Sequence, residues 1–314
     1  MERPPSLGLR LAAALSCVLF VLLTACTSQP TSTSAAAPAR SLSPSPRASH
    51  PQKHQGLAGD APIVVIFMEN HEEGAVTGST SAAYQNTLAR RGRSYTNYFA
   101  ITHPSLPNYL AFASGSTQGK TSDDITAGEI GGPSLWSQLT DARIRWAVYE
   151  ESMPSPCFKA YSAGSAPGDY AMKHNPAIPF QSVASSDSEC DHVQPLERMD
   201  PKQLPPVSFI TPNECNDAHS CELSSGDAWL ASHVPALIGA GADVIVTYDE
   251  GTTDLGANGG AGGGQVFAVE AGPGVPNGVQ VTRPMNHYSL LAGIEQRFHL
   301  PRLGAAADVT PLPI

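Results

Sequence analysis

The chain has 314 residues, of which 41% are apolar and 15% charged, and its formal net charge is −10. The apolar share is enough to fill a core, which excludes a wholly disordered chain, and the low charge content excludes a long coiled coil. The acidic balance argues against nucleic acid as a partner, because binding a phosphate backbone needs a basic face. A small phosphorylated substrate held through a metal ion is compatible with this charge.

The first residues are typical of an export signal. Two arginines accompany an apolar run over residues 11–23, which is too short to span a bilayer comfortably. The run ends in Leu23-Thr24-Ala25-Cys26, which resembles the bacterial lipoprotein box, where the cysteine receives a diacylglycerol and becomes the new N-terminus. Residues 1–25 are therefore expected to be a lipoprotein signal peptide and Cys26 the lipidation site. An ordinary signal peptide with a chance cysteine is the alternative.

The segment after Cys26 has the composition of a linker. Residues 26–56 are mostly Ser, Thr, Pro and Ala, which bury too little surface to offset the entropy of ordering the chain. We expect a disordered tether there and a folded domain over residues 57–314. The lipid would be the only membrane attachment, placing the domain on the outer face of the cell membrane or, after release, outside the cell.

Strand and helix patterns alternate along this domain. In chain order they predict a strand over 63–68, helices over 82–91, 106–114 and 135–142, strands over 145–149 and 207–210, a helix over 227–239, strands over 244–248 and 265–269, and a helix over 287–298. This alternation indicates a single α/β domain with a largely parallel central sheet between helices. In such folds the ligand crevice lies at the carboxyl ends of the strands.

Four cysteines lie in the predicted domain. Outside the cytoplasm an even count suggests two disulfides, and three pairings are possible. We favour Cys157–Cys190 and Cys215–Cys221, the second of which closes a short loop around Asp217 and His219. A four-cysteine zinc site is the disfavoured alternative, because the sequence has no Cys-x-x-Cys pair.

Acidic residues follow three of the predicted strands. Glu69-Asn70 comes after the first, Asp249-Glu250 after the strand over 244–248, and Glu214, Asp217 and His219 follow the strand over 207–210. Carboxyl ends of parallel strands meet at one edge, where such a cluster suits Ca²⁺, Mg²⁺, Mn²⁺ or Zn²⁺. A single acid at a strand end can equally be a helix cap or a solvated loop residue, but three such ends favour a metal site.

Ser105 lies just before a predicted helix whose first turn accommodates Pro107. The simple interpretation is a helix N-cap. The functional one makes Ser105 a nucleophile activated by a metal ion, with free backbone amides and Asn108 holding phosphate oxygens. A serine hydrolase of the nucleophile-elbow type is excluded by the absence of Gly-x-Ser-x-Gly, and the glycine run over 259–264 lacks the ending of a P-loop and is expected to be a mobile loop.

Seven ordered blocks between about Ala61 and Gly304 resemble the phosphoesterase family of bacterial and fungal acid phosphatases and phosphocholine-type phospholipases C, in the alkaline phosphatase-like superfamily. The chain looks most like the short secreted acid phosphatases, including the mycobacterial type. The blocks are Met68-Glu69-Asn70, the segment Thr102–Leu110, the segment Tyr170–Pro176, the segment Thr211–His219, the segment Gly226–Leu230, Asp249-Glu250-Gly251 and the segment His287–Leu291.

The resemblance implies a role for each matching position. The metal shell would be Glu69, Asn70, Asp249 and Glu250, and Ser105 would be the nucleophile with Asn108 as its phosphate-binding partner. Further metal or phosphate ligands would be Asp217, His219 and His287, while His103, Lys173 and His174 would lie near the phosphate. One departure is that His71-Glu72-Glu73 follows Asn70 where the family usually has Asn-x-Ser, and this extra acid could alter the metal or substrate preference.

These observations predict metal-dependent hydrolysis of small phosphate monoesters through a phosphoserine intermediate. The first alternative is a phospholipase C-type phosphodiesterase, although those chains carry additional regions. The second is a catalytically inactive, lipid-anchored binding protein, which the intact set of Glu69, Ser105, Asp249 and Glu250 disfavours.

Overall fold

The computed structural model describes residues 61–314. The predicted signal peptide, the lipidation site Cys26 and the tether lie outside these residues. The described residues fall within one unit of the chain, in agreement with a single domain.

The described residues alternate between helices and strands. The strands are β1 (Ile63–Met68), β2 (Arg93–Tyr95), β3 (Tyr98–Phe99), β4 (Trp146–Glu150), β5 (Ser162–Ala163), β6 (Tyr170–Ala171), β7 (Val193–Pro195), β8 (Val207–Thr211), β9 (Asp243–Tyr248), β10 (Ala268–Ala271), β11 (Val279–Val281) and β12 (Met285–Asn286). The α-helices are α1 (Glu73–Val76), α2 (Ala83–Arg91), α3 (Ser105–Ser114), α4 (Leu135–Asp141), α5 (Gln181–Ala184), α6 (Asp187–Cys190), α7 (Leu223–Gly239) and α8 (His287–Arg297).

The central sheet has the strand order β11-β2-β10-β9-β1-β8-β4-β7. Strand β1 lies in its middle and pairs in parallel with β8 on one side and β9 on the other. All six of its residues are buried, as expected for a strand covered on both faces. Only β10 runs antiparallel to its neighbours in this described sheet, so the predicted α/β fold with a largely parallel sheet is confirmed.

Helices cover both faces of the sheet. Successive residues of a strand point to opposite faces. Phe67 packs against Phe112 of α3, with ring centroids 5.4 Å apart. The next residue, Met68, faces Gly226 of α7, where a Cβ would lie 2.7 Å from the Met68 Cε. Helices α3 and α7 therefore lie on opposite faces, and Glu69, one residue after Met68, returns to the α3 side.

One difference from the predicted elements concerns the strand expected over 265–269. The main-sheet strand β10 begins three residues later, at Ala268. Gln265 and Val266 instead form bridges with Phe99 and Glu72. The apolar pattern over 265–269 covers a segment that first bridges to Phe99 and Glu72 and then joins β9 in the main sheet. The pattern alone does not show where one partner gives way to the next.

An aromatic cluster lies beneath the carboxyl end of β1. The ring of Phe209 on β8 packs 5.0 Å from Phe67 and 5.1 Å from Phe112, centroid to centroid. Tyr109 on α3 lies 5.3 Å from Phe67. All four rings are fully buried, and together they fix α3 against the sheet.

Both predicted disulfides, Cys157–Cys190 and Cys215–Cys221, are present, with Cα atoms 5.0 and 4.7 Å apart. Across residues 61–314, every helix is too short or too polar to cross a bilayer.

Replacing Phe209 with Ala should lower the free energy of unfolding by about 3–5 kcal/mol, because it leaves a cavity among three rigid rings. Urea unfolding measures the change. The control is Val279→Ala on the edge strand β11, where Val279 is 37% exposed and the change should stay within about 0.5 kcal/mol. Equal losses for the two variants would contradict the packing role of Phe209.

Candidate active site

Three buried carboxylates meet at the carboxyl edge of the sheet. Strands β1 and β9 pair so that Met68 lies beside Tyr248, which brings the following residues, Glu69 and Asp249, next to each other. The Asn70 amide donates to the Asp249 Oδ1 (3.2 Å), and its side chain donates to the Glu69 Oε2 (3.2 Å). Asp217 joins them from the loop after β8, since the Glu69 amide donates to its carbonyl (2.9 Å).

Ser105 lies beside this cluster at the first position of α3. Its hydroxyl is 3.1 Å from the Glu69 Oε2 and 3.2 Å from the Glu250 Oε1. The residue is only 2% exposed. The sequence expected Ser105 near an N-cap, but Pro104 occupies that position. The Leu106 amide, one of those expected to hold phosphate, instead donates to the Asp123 Oδ1 (3.0 Å).

The cluster is electrostatically unfavourable without a counter-charge. Burial, together with the negative charges of its neighbours, holds the pKa of Glu69 well above its ordinary value. Burial likewise raises the pKa of Asp217. Burial and the charge of Glu250 raise the pKa of Asp249 to about 7. Each carboxylate therefore resists ionisation, which a divalent cation between them would relieve.

The residues fit a divalent cation. Within the described part of the chain, the Asp217 Oδ2 and the Asp249 Oδ2 are buried and make no hydrogen bond. Ligand atoms of Glu69, His174 and Asp217 all lie within 4.8 Å of one another. Oxygen donors suit Mg²⁺, Ca²⁺ or Mn²⁺, and the imidazole in the set admits Zn²⁺.

His174 is fully buried between two of the acids. Its Nε2 lies 3.3 Å from the Glu69 Oε2, and its Nδ1 lies 3.5 Å from the Asp217 Oδ2. Burial, with the nearby charge of Lys173, holds its pKa well below the ordinary value, so the imidazole is neutral. A neutral ring can bind a metal ion or accept a proton.

Lys173 and His219 lie together at the mouth of the site. The Lys173 Nζ is 3.2 Å from the His219 Nε2 and 3.7 Å from the Asp123 Oδ2. Burial, aided by the positive charge of Lys173, lowers the pKa of His219. The structure thus brings both predicted residues together with Asp123 on the rim.

His103 contacts the opposite side of the cluster. Its Nδ1 meets the Glu250 Oε2, and its Nε2 donates to the Thr253 carbonyl (2.9 Å). Burial opposes protonation, but the hydrogen bonds to Thr253 and Glu250 prevail and raise the pKa of His103.

The Asn108 side chain is engaged by backbone groups of the loop before α3, and the phosphate-binding role that the resemblance implies stays a prediction. Its Oδ1 accepts from the Ile101 and Thr102 amides (2.9 and 3.2 Å), and its Nδ2 donates to the Thr102 and Pro104 carbonyls (2.8 and 3.2 Å). An amide side chain has two donor and two acceptor positions, so all four are in use. Asn108 fixes the loop that leads into Ser105.

Both ring nitrogens of His287 are also engaged by protein groups, and its role as a metal or phosphate ligand stays a prediction. Its Nε2 donates to the Asp249 carbonyl (2.6 Å), so its Nδ1 accepts from the Tyr98 hydroxyl (3.1 Å). Burial lowers the pKa of His287 to about 4, which keeps the ring neutral. His287 positions the backbone of Asp249.

Solved structures and known sequences resemble this chain. A protein in the alkaline phosphatase superfamily from Vibrio parahaemolyticus superposes with a TM-score of 0.54 over 81% of this chain and 70% of that one, at 10% identity, which shows the fold alone. A phosphatidylinositol-3-phosphatase of Mycobacterium tuberculosis is 33% identical, over 80% of this chain and 81% of the relative. A phosphate-repressible acid phosphatase of Penicillium chrysogenum is 34% identical, over 80% of this chain but 61% of the relative.

The model of the phosphoesterase family matches residues 67–301. The chain belongs to the phosphoesterase family. Family and relatives together identify it as a phosphoric ester hydrolase with an alkaline phosphatase-like fold. The phosphoesterase spans only 55–61% of the length of its fungal relatives.

Sequence reasoning assigned no role to two residues of this phosphoesterase site. The Tyr109 hydroxyl donates to the Glu69 Oε1, and the spacing to Ser105 could have indicated this, because residues i and i+4 share a helix face. Asp123 lies in an irregular loop, and its contact with the start of α3 had no sequence signal.

Removing each disulfide of the phosphoesterase should have a different effect. Replacing Cys157 and Cys190 by Ser opens a 33-residue span and should lower the free energy of unfolding by about 3–4 kcal/mol, with activity largely kept. Replacing Cys215 and Cys221 opens a span of six and should cost only about 2 kcal/mol. It should nevertheless reduce phosphoester hydrolysis more, because that loop carries Asp217. Urea unfolding and an initial-rate assay test the two effects, and a reversed ranking would contradict them.

Replacing Asn108 with Ala should lower the free energy of unfolding by about 3 kcal/mol, because four partly buried backbone groups lose their partners. The measurement is urea unfolding in phosphate-free buffer. Asn97→Ala is the control, since Asn97 makes one exposed hydrogen bond to the Thr282 carbonyl. A variant of Asn108 that is as stable as wild type but inactive would favour the phosphate-binding role over the structural one.

Proposed function

We propose that this phosphoesterase is a metal-dependent phosphomonoesterase that works through a phosphoserine at Ser105. The observation that carries the proposal is the position of the Ser105 hydroxyl, 3.1 and 3.2 Å from carboxylate oxygens of Glu69 and Glu250, beside an acid cluster that needs a cation. A divalent cation held by Glu69, Asn70, Asp217, Asp249 and Glu250, with His174, would lower the pKa of the serine hydroxyl and draw charge from the phosphoryl oxygens.

In the proposed reaction, Glu250 and the Lys173–His219 pair transfer the protons of two steps, the phosphorylation of Ser105 and the hydrolysis of the phosphoserine. In the first, the Ser105 Oγ forms a bond to phosphorus, its proton passes to the Glu250 Oε1, and the bond to the leaving alkoxide breaks. The Lys173–His219 pair at the mouth supplies the proton that the alkoxide takes. In the second, water attacks the phosphoserine and returns a proton to the pair, while the Ser105 Oγ leaves and regains its proton from Glu250. The sum is hydrolysis of one ester bond.

The relatives favour monoesters over the phosphodiesters of the alternative interpretation. One is named a phosphatidylinositol-3-phosphatase and the others acid phosphatases. The substrate class we propose is therefore a small or headgroup phosphate monoester, with no claim on the pH at which it is cleaved.

The proposed location is outside the cytoplasm. Two disulfides are stable in an oxidising compartment, and the N-terminal sequence is typical of a lipoprotein signal. We propose that the mature chain is attached through Cys26 to the outer face of the cell membrane. Mass spectrometry of the mature N-terminus, with and without a Cys26→Ser change, would show whether the lipid is added.

The test of the activity is phosphate release from p-nitrophenyl phosphate by wild type and Ser105→Ala. The variant should lose about a thousandfold or more in kcat, because no other group can take the place of the nucleophile. Ser182→Ala, at an exposed serine of α5, is the matched control. Chelation should abolish wild-type turnover, and one of Mg²⁺, Ca²⁺, Mn²⁺ or Zn²⁺ should restore it.

Other results would favour the alternatives. Faster hydrolysis of bis-p-nitrophenyl phosphate or phosphatidylcholine than of the monoester would favour a phosphodiesterase. Phosphate binding by a folded, metal-replete chain that turns over neither ester would favour a binding protein. Full activity of Ser105→Ala would exclude Ser105 as the nucleophile.

A further inference from the structure

Glu72 is the acid that departs from the family's usual sequence after the first strand, and it lies outside the carboxylate cluster. Its Oε1 accepts three hydrogen bonds of 2.9 Å, from the Thr252 amide, the Thr253 amide and the Thr253 hydroxyl. The side chain is thus committed to the turn over residues 251–253, which directly follows Asp249-Glu250. These contacts give the extra acid a structural partner outside the carboxylate cluster.

Two glycines leave the space that the Glu72 carboxylate fills. A Cβ on Gly264 would lie 2.5 Å from the Glu72 Oε1, and one on Gly251 would lie 2.8 Å from its Cδ. The Gly251 amide donates to the Gly263 carbonyl (2.6 Å). This bond brings together around the carboxylate the two ends of the loop over residues 251–264, which we call the glycine-rich loop. Any larger side chain at either position would displace Glu72 from its three donors.

The turn held by Glu72 is the partner of His103. The Thr253 carbonyl accepts from the His103 Nε2 (2.9 Å), while the His103 Nδ1 contacts the Glu250 Oε2. The other oxygen of Glu250 lies 3.2 Å from the Ser105 hydroxyl. An unbroken series of contacts therefore runs from Glu72 through Thr253, His103 and Glu250 to Ser105.

The main chain beside Glu72 is itself fixed. The Glu73 amide donates to the Gln265 carbonyl (2.8 Å), and Glu72 forms a bridge with Val266. The backbone of Glu72 is therefore fixed by Gln265 and Val266, and its carboxylate holds a turn that lies 12–15 residues before them in the chain. Hydrogen bonds to a charged acceptor are about twice as strong as neutral ones, which suits a carboxylate to this task.

We infer that Glu72 is a positioning residue, which sets the orientation of His103 and Glu250 toward Ser105 by anchoring the turn over residues 251–253. The inference rests on the proposed function, because it assigns Glu72 a part in the reaction at Ser105. Glu72 itself touches neither Ser105 nor the acids of the cluster.

The decisive comparison is between Glu72→Gln and Glu72→Leu in the full chain. Both replacements have nearly the size of Glu, but only Gln keeps a carbonyl oxygen, whose two acceptor positions can receive two of the three hydrogen bonds. Glu72→Leu should lower kcat by about 10- to 100-fold, the effect of displacing groups by a fraction of an ångström to 1 Å. KM for p-nitrophenyl phosphate should stay nearly unchanged, and Glu72→Gln should retain most of the wild-type kcat. Glu73→Ala, which removes the neighbouring acid, is the matched control and should behave as wild type.

A second readout does not depend on turnover. Leu255 lies in the glycine-rich loop and is 44% exposed, so chymotrypsin can cleave after it when the loop opens. Cleavage should be several-fold faster in Glu72→Leu than in wild type or Glu72→Gln, because local opening exposes the backbone to the protease. Gly251→Ala should behave like Glu72→Leu in both assays, since its methyl group occupies the space of the carboxylate, and it serves as the second variant if Glu72→Leu does not fold.

The results separate this inference from the proposed function. If wild type hydrolyses the monoester and Ser105→Ala does not, but Glu72→Leu matches wild type in kcat and in cleavage, the positioning role is wrong and the proposed function stands. A loss in Glu72→Gln as large as that in Glu72→Leu would also overturn the role. If wild type has no turnover, the proposed function fails, and unchanged cleavage of Glu72→Leu would then exclude the anchor as well.

Discussion

The site depends on the repulsion among Glu69, Asp217 and Asp249, three acids that the fold buries side by side. No side chain among residues 61–314 neutralises all of them: His174 is held neutral, and Lys173 stands at the mouth, paired with other groups. Burying these three acids side by side therefore lowers the stability of the sheet edge. A bound cation would offset their repulsion. A site that is destabilised in this way is common where structure has been adapted for function rather than stability.

Around this cluster, hydrogen bonds with backbone groups hold each functional side chain or loop. Asn108 fixes the approach to Ser105, and His287 fixes the Asp249 carbonyl. Glu151 accepts from the Asn213 amide and from the Asn216 side chain, which holds the loop that carries Asp217. The polar residues that the sequence suggests as metal or phosphate ligands thus form two groups. Some face the carboxylate cluster, and others hold the backbone around it through hydrogen bonds.

The sequence was sufficient for the parts of the structure that local patterns determine. The β-branched run of β1 and the acids after β1 and β9 could be predicted, because each depends on residue type and spacing along the chain. The even number of cysteines indicated two disulfides, and the favoured pairing among the three possible ones is present. The sequence could not predict which polar residues face the carboxylate cluster and which hold the surrounding backbone. Asn108 and Glu72 differ from the proposed metal ligands in the backbone groups that they bind. For Glu72 these groups lie 180 residues away in the chain, and for Asn108 they lie in an irregular loop just before α3.

The parallel register between β1 and β9 also limits how the chain can change in length. Glu69 and Asp249 are neighbours because Met68 and Tyr248 are partners. Side chains of a strand alternate between faces, so inserting or deleting one residue in either strand would turn its terminal acid away from Ser105 and toward α7. The glycine-rich loop after Asp249 is not restricted in this way. Its two ends are held by a backbone hydrogen bond, and its side chains do not alternate between the faces of a sheet. Length variation that preserves the site is therefore confined to the loops. The lengths of β1 and β9 must stay constant, because they determine the positions of Glu69 and Asp249.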